Sequence, residues 1–345
     1  MDDASEASFS AESSDRSIGE ILISAGRLSP DDASRIYKEQ KKRGLRFGEA
    51  AVELGFATEA DIQFALSHQF RYPYLQRGES RVSETVVAAY SPFSLQVEAL
   101  RAVRSQLMRR WFSEDNERRA LAVVSPDQGE GRSWLAANLA VVFSQLGART
   151  LLIDADLRNP VQQSLFGIDN RNGLSSILGG RATSNVVFRI PVLNDLSILP
   201  AGPVPPNPQE LLSRSLLGRM LVQLANSFDV ILIDTPPAGK FADGLGIAAL
   251  AGGALVVSRQ DKTRIRALHE LYAGLRDAGV EITGGVLNGG GMNSKNRRLP
   301  FAPFSEKWWA VNPARLKAKT MASLPDGKPH VRPVKRTKSR ALAKR

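Results

Sequence analysis

At 345 residues, 43% hydrophobic and 23% charged, the chain has the make-up of a soluble globular protein with room for two domains. It contains no cysteine, which excludes disulfides, thiolate zinc sites and thiol catalysis. No apolar run reaches the roughly 18 residues that span a bilayer, and the acidic, serine-rich start MDDASEASFSAESSDRS is unlike a secretion signal, so a cytoplasmic location is expected.

Residues 1–16 show no apolar periodicity and are expected to form a disordered lead. From Ile18 the chain repeats itself at an offset of 29. IGEILISAGRLSPDDASRIYKEQ (18–40) aligns with FGEAAVELGFATEADIQFALSHQ (47–69), pairing Gly19 with Gly48, Glu20 with Glu49 and Gly26 with Gly55. Each copy carries a helix start, Ser29-x-x-Asp32 and Thr58-x-x-Asp61, a variant of the capping box. Residues 17–75 are therefore predicted to be a small domain of two similar helix pairs. This region is similar to the N-terminal domain of type II secretion and pilus ATPases, where such paired motifs can bind cyclic di-GMP. Arg46-Phe47-Gly48 stands for their Arg-Leu-Gly, whereas Ser17-Ile18-Gly19 lacks the arginine. Two readings stay open, a cyclic di-GMP site and a helical docking domain.

A linker is expected over 76–90, leading into a second domain at 91–290. Its first element, SLQVEALRAVRSQLMRRW, reads as a helix with Leu95, Leu100, Val103 and Leu107 toward a core. Glu98, Arg101 and Arg104 follow one another at helical spacing. An apolar β-type run, Ala120 to Val124, then meets the turn SPDQGEGRS, which opens into a helical pattern through Leu135, Leu139, Val142, Phe143 and Leu146. That is the layout of a phosphate-binding loop. Gly129 and Gly131 let the backbone turn its N–H groups inward, and the helix starting near Arg132 adds its positive end. Of the usual pattern G-x-x-x-x-G-K-[ST], Gly131 and Ser133 are present, while Pro126 stands at the first position and Arg132 at the lysine.

Further strands are predicted at 150–154, about 196–199, 229–234, 254–258 and 283–287, with helices between them, notably 208–226 and 262–278. Apolar strands alternating with helices predict an α/β fold, a mostly parallel sheet covered on both faces. TLLIDADLR ends in Asp154 and Asp156, and DVILIDTPP ends in Asp234, all at the sheet edge where parallel strands place ligands. Any one of these acids can merely stop a strand or cap a helix. Together with the glycine loop they predict one crevice for a nucleotide triphosphate.

The run from about 91 to 288 resembles the cytoplasmic domain of bacterial tyrosine kinases, relatives of the MinD and ParA ATPases with a variant P-loop. GEGRS at 129–133 stands for the family's GEGKS, LLIDADLR at 151–158 for its Walker A′ and ILIDTPP at 231–237 for its Walker B. LPAG at 199–202, PPNPQELL at 205–212 and GVLN at 285–288 also match. Within the family it is most similar to EpsG-type chain-length-determinant kinases of exopolysaccharide loci. The resemblance implies ATP and Mg²⁺ as cofactors. Gly129, Glu130, Gly131, Arg132, Ser133 and Trp134 would hold the nucleotide, with Asn288 near the adenine, although an ordinary amide at a strand end is an equal reading of Asn288. Ser133 would offer its hydroxyl to the metal, Asp234 would hold its water shell, and Asp154 would organise metal and phosphate. Asp156 would accept the tyrosine proton or orient water, and Arg132 would do the lysine's work as a planar fork rather than a point charge. Glu98, Arg101 and Arg104 match an E-x-x-R-x-x-R motif through which these kinases pack into rings. The implied partner is an inner-membrane polysaccharide co-polymerase, which would hold the protein peripherally at that membrane.

One departure concerns the acceptor. The five tyrosines are Tyr37, Tyr72, Tyr74, Tyr90 and Tyr272, so the C-terminal tyrosine cluster of the family is missing. From Gly291 onward there are instead 15 Lys and Arg against Glu306 and Asp326, an excess larger than the whole chain's net +11, so the rest of the chain is slightly acidic. This tail is expected to be disordered. It suits an anionic membrane surface and also nucleic acid, with the polysaccharide-kinase motifs arguing against DNA. A regulatory ATPase without kinase activity and a ParA-like, DNA-associated ATPase are the alternative functions.

Overall fold

The structure is a computed structural model that describes residues 16–69, 73–113, 118–182 and 186–289. The expected lead through residue 15, the basic tail and Tyr72 lie outside the described residues.

The repeat folds as α1 (Ile18–Ser24), α2 (Pro30–Arg43), α3 (Phe47–Glu53) and α4 (Glu59–Gln69). Its helix starts are hydrogen-bonded. Ser17 Oγ accepts from Glu20 N while Glu20 Oε2 accepts from Ser17 N, and Ser29 and Thr58 accept from the amides of Asp32 and Asp61. Each such cap contributes about 1 kcal/mol. Leu22, Ile36, Ala51 and Ala65 are fully buried at the centre, ringed by Phe47 and Phe64. The repeated glycines mark the tight crossings. A Cβ on Gly48 would lie 2.9 Å from Ile62, and one on Gly19 would lie 3.1 Å from Phe47.

Residues 73–90, ending in the short α5 (Val87–Tyr90), form a strap laid against the second domain. Leu75, Val82, Val86 and Ala88–Tyr90 are buried in that domain's core, so most of the stretch read as a linker is packed. α6 (Leu95–Arg110) follows, capped by Ser94, and buries Val97, Leu100 and Leu107.

Then come β1 (Ala120–Val124), α7 (Arg132–Ser144), β2 (Thr150–Asp154), α8 (Gln162–Phe166), α9 (Leu174–Leu178), β3 (Phe188–Arg189) and β4 (Leu196–Leu199). The chain continues through α10 (Pro208–Leu212), α11 (Ser215–Ala225), β5 (Val230–Asp234), α12 (Asp243–Ala251), β6 (Gly253–Arg259), α13 (Ile265–Asp277) and β7 (Glu281–Asn288). Among the described residues the strands make one seven-stranded sheet, ordered β3-β4-β2-β5-β1-β6-β7, parallel except where β3 pairs antiparallel with β4. The apolar strands alternate strictly. Leu121, Val123, Leu152 and Leu232 enter the layer under α6 and α7, and Ala122, Val124, Leu151, Ile153, Ile231 and Ile233 enter the layer under α12 and α13.

The expected strands are present. The single helix expected over 208–226 is instead two, α10 and α11. Arg214 between them is extended (φ −68°, ψ 140°), and its guanidinium donates to the carbonyl of Leu178 at 2.8 Å.

Candidate functional site

Between β1 and α7 the chain passes through Ser125–Gly131. Gly129 (φ 76°) and Gly131 (φ 90°) adopt left-handed conformations, and a side chain at either would collide with Lys262 Nζ or Asn288 Nδ2. The loop is braced from inside and from both flanks. Glu130, 1% exposed, accepts from the amide of Asp127 at 2.8 Å and from the hydroxyl of Thr263. Asn288 Nδ2 donates to Glu130 O at 3.1 Å, Lys262 Nζ to Gln128 O at 2.8 Å, and Arg259 to Gly129 O at 3.0 Å. The carboxylate of Glu130 is thus spent on the loop itself, and Asn288 lies directly on it.

The register pairs Asp154 with Asp234 on neighbouring parallel strands, so both acids leave the sheet at the same level beside the loop. Arg132, at the first position of α7, turns into this space and is 6% exposed. Its Nε donates to Asp234 Oδ1 at 3.3 Å, its Nη2 to Asp156 Oδ2 at 3.3 Å, and its Nη1 to Ser125 Oγ at 2.8 Å. The planar fork thus spans two acids from different strands, which the single ammonium of a lysine does not do.

The acids differ in what they have left to offer. Asp154 is fully buried and turned to main chain, accepting from the amides of Asp156, Val161 and Gln162 at 2.9–3.2 Å. Burial, then the charge of Asp234, pushes its carboxyl well above the usual range. Burial also raises Asp234, opposed by Arg132 and by hydrogen bonds from Gln162 and Ser133. Asp156 is raised by burial too, opposed by the amide of Asn159 and by Arg132. A carboxylate moved upward in this way is better matched to proton transfer near neutral pH.

Trp134 presents its indole elsewhere, donating to Thr85 O of the strap at 2.7 Å, so only its main-chain amide remains for an anion. In the α6 trio Glu98 pairs with Arg101, while Arg104 turns inward and donates to Val142 O at 2.7 Å. Arg46 is exposed at the start of α3.

Several contributors carry no signal in a single sequence. Gln162 bonds Asp234 from the start of α8, and Ser125 receives Arg132. Arg158 donates to Asp243 at 2.8 Å and stacks on Phe241 at 4.1 Å, tying the loop after β2 to the loop after β5. Gln162 and Asp234 are 72 residues apart and Arg158 and Asp243 are 85 apart, and only the topology brings them together.

A glycine loop feeding a helix N-terminus, flanked by acids from the next two strands of a parallel sheet, defines a P-loop nucleotide-binding protein. Residues 116–339 match the profile of the ParA family, described as NUBPL iron-transfer P-loop NTPase. Tyrosine-protein kinase YwqD of Bacillus subtilis (strain 168) is 33% identical over 210 residues, 61% of this chain and 88% of that protein. Tyrosine-protein kinase wzc of Salmonella typhimurium is 30% identical across 71% of this chain, which spans 34% of that longer protein. The solved kinase domain of Escherichia coli tyrosine kinase ETK superposes with a TM-score of 0.58 at 29% identity, covering 68% of this chain and 90% of the domain. The chain belongs to the ParA-like P-loop NTPases and, among them, to the bacterial tyrosine-kinase family. Nucleotide use comes with that membership. Among the described residues no helix is long and apolar enough to cross a membrane.

Proposed function

We propose that the protein is an ATP- and Mg²⁺-dependent protein-tyrosine kinase that regulates the chain length, polymerisation or export of an exopolysaccharide together with an inner-membrane co-polymerase. The observation that carries this reading is Arg132 bridging Asp156 and Asp234 beside the phosphate loop.

The residues fit the cofactors. The two left-handed glycines keep the loop clear of side chains, and Ser133 and Asp234 supply oxygen groups of the kind Mg²⁺ prefers. Bound Mg·ATP supplies the phosphoryl group and charge to neutralise its transfer. The loop amides from Gly129 to Trp134 would hold phosphate oxygens, and Asn288 would face the adenine. Arg132 has two carboxylate partners that it would exchange for phosphate oxygens. Asp156, released from Arg132, would take the proton from an incoming tyrosine hydroxyl. Asp154, held by three amides, would order the loop after β2 around metal and phosphate.

Ring assembly through Glu98, Arg101 and Arg104 belongs to this proposal, with Glu98 the outward member at 58% side-chain exposure. So does a peripheral position at the inner membrane, favoured by the basic tail. Incubation with labelled ATP and the cytoplasmic segment of a co-polymerase tests the reading. Phosphotyrosine that falls by about 10²–10⁴ in Asp156→Ala supports it, and phosphate release without labelled protein assigns the site to a regulatory ATPase. One observation favours that second reading. Among the described tyrosines, Tyr90 is buried with its hydroxyl bonded to Val82 O, Tyr74 and Tyr272 are half-buried, and Tyr37 at 42% exposure belongs to the helical domain.

A further inference from the structure

Gln162 is fully buried on the floor of the crevice, two strands away from the loop that carries the nucleotide motif. Its side-chain amide is shared between the two halves of the site. Nε2 donates to Asp234 Oδ2 at 2.8 Å and to the carbonyl of Ser133 at 3.1 Å, while its own backbone N–H donates to Asp154 Oδ2 at 2.9 Å. Arg132 holds the other oxygen of Asp234, so the carboxylate is gripped from both sides. The other amide atom, Oε1, is buried and has no hydrogen-bond partner. An orphaned acceptor in a buried site carries a free-energy cost unless a ligand group or water completes it.

We propose that Gln162 is a positioning residue for the metal: it fixes Asp234 and the Ser133 backbone in one orientation and offers Oε1 as an acceptor to the water shell of a nucleotide-bound Mg²⁺. The proposal rests on the Mg·ATP reading above. It explains why a neutral amide, and not a fourth carboxylate, stands beside three carboxylates and one guanidinium. A carboxylate there would add repulsion to acids already raised by burial, and an apolar side chain would leave Asp234 held on one side.

The test uses the full chain and Mg·ADP, read as the shift in melting temperature and as binding of a fluorescent ADP analogue, with Mg²⁺ titrated from an EDTA-treated start. Gln162→Met keeps length and bulk and removes both amide functions. We expect it to bind ADP in EDTA as the wild type does, while the Mg²⁺ concentration for half-maximal tightening rises by about 10- to 100-fold. In turnover, kcat falls and the KM for ATP at saturating Mg²⁺ stays close to wild type. If Gln162→Met does not fold, Gln162→Asn, with the same amide one methylene shorter, shows the same shift at smaller size. A wild-type Mg²⁺ dependence in a folded variant overturns the role of Gln162 and leaves the kinase reading standing. Absence of ADP binding by the wild-type chain overturns both.

Discussion

Strands β2 and β5 begin and end with arginine–aspartate pairing, under opposite conditions. At their start Arg149 and Asp229 meet in solvent, with side chains 57% and 44% exposed and a bidentate contact of 2.6 and 3.1 Å. At their end Asp234 meets Arg132 out of solvent, at 0% and 7% exposure, and the contacts are longer, at 3.3 Å. The hydrogen bond from Arg149 comes first in holding Asp229 below the usual carboxylate range, whereas burial dominates at Asp234 and moves it up. The outer pair has near-ideal geometry and little at stake, because water replaces either partner. The inner group has poorer geometry and much at stake, since each charge depends on the other for solvation. A site held in that condition is ready to exchange one anion for another.

Deleting the cation separates the two ends most sharply. Arg132→Ala leaves Asp156 and Asp234 buried without it, so we expect a loss of about 3–5 kcal/mol in urea unfolding and no measurable binding of ADP. Arg132→Lys keeps the charge and shortens its reach, and it should retain or raise turnover, checked by steady-state phosphate release. A pH series comes next in size. Acids raised in the folded state bind protons more readily there than when unfolded, so the nucleotide-free fold loses stability as pH rises from the ordinary carboxylate range through their raised values. Asp156→Asn should flatten that decline in thermal melts. Asp229 has the opposite sign, contributing above the ordinary range and fading as pH falls through its lowered value. The smallest effect is expected of Arg149→Ala, whose unfolding midpoint should stay close to wild type, with any difference shrinking in added salt.

The same contrast explains what was legible in the sequence. The strand ends were, because Asp154, Asp156 and Asp234 close apolar runs whose burial alternates from one face of the sheet to the other. The glycine loop was, because its two special conformations require glycine. The grip of Arg132 on two acids, 24 and 102 residues away, was not, since only the strand order β2-β5-β1 brings them to one place. Gln162 and Ser125 are common residue types in unremarkable positions, and their roles come from what surrounds them. The break at Arg214 is set by a carbonyl on α9's last residue, Leu178, outside the 208–226 window in which a helix is read. Residues 76–90 read as a linker because charged and polar residues dominate their first part, yet Val82, Val86 and Ala88–Tyr90 are buried in the core.

That strap bears on how the protein is best cut into pieces. Asn138 of α7 accepts from Ala88 N, Trp134 reaches Thr85, and Gln145 at the far end holds the carbonyls of Pro73 and Ala88. A catalytic fragment started at Ser91 would therefore bare the apolar back of α7 and stick to itself, whereas one started at Pro73 keeps its own covering.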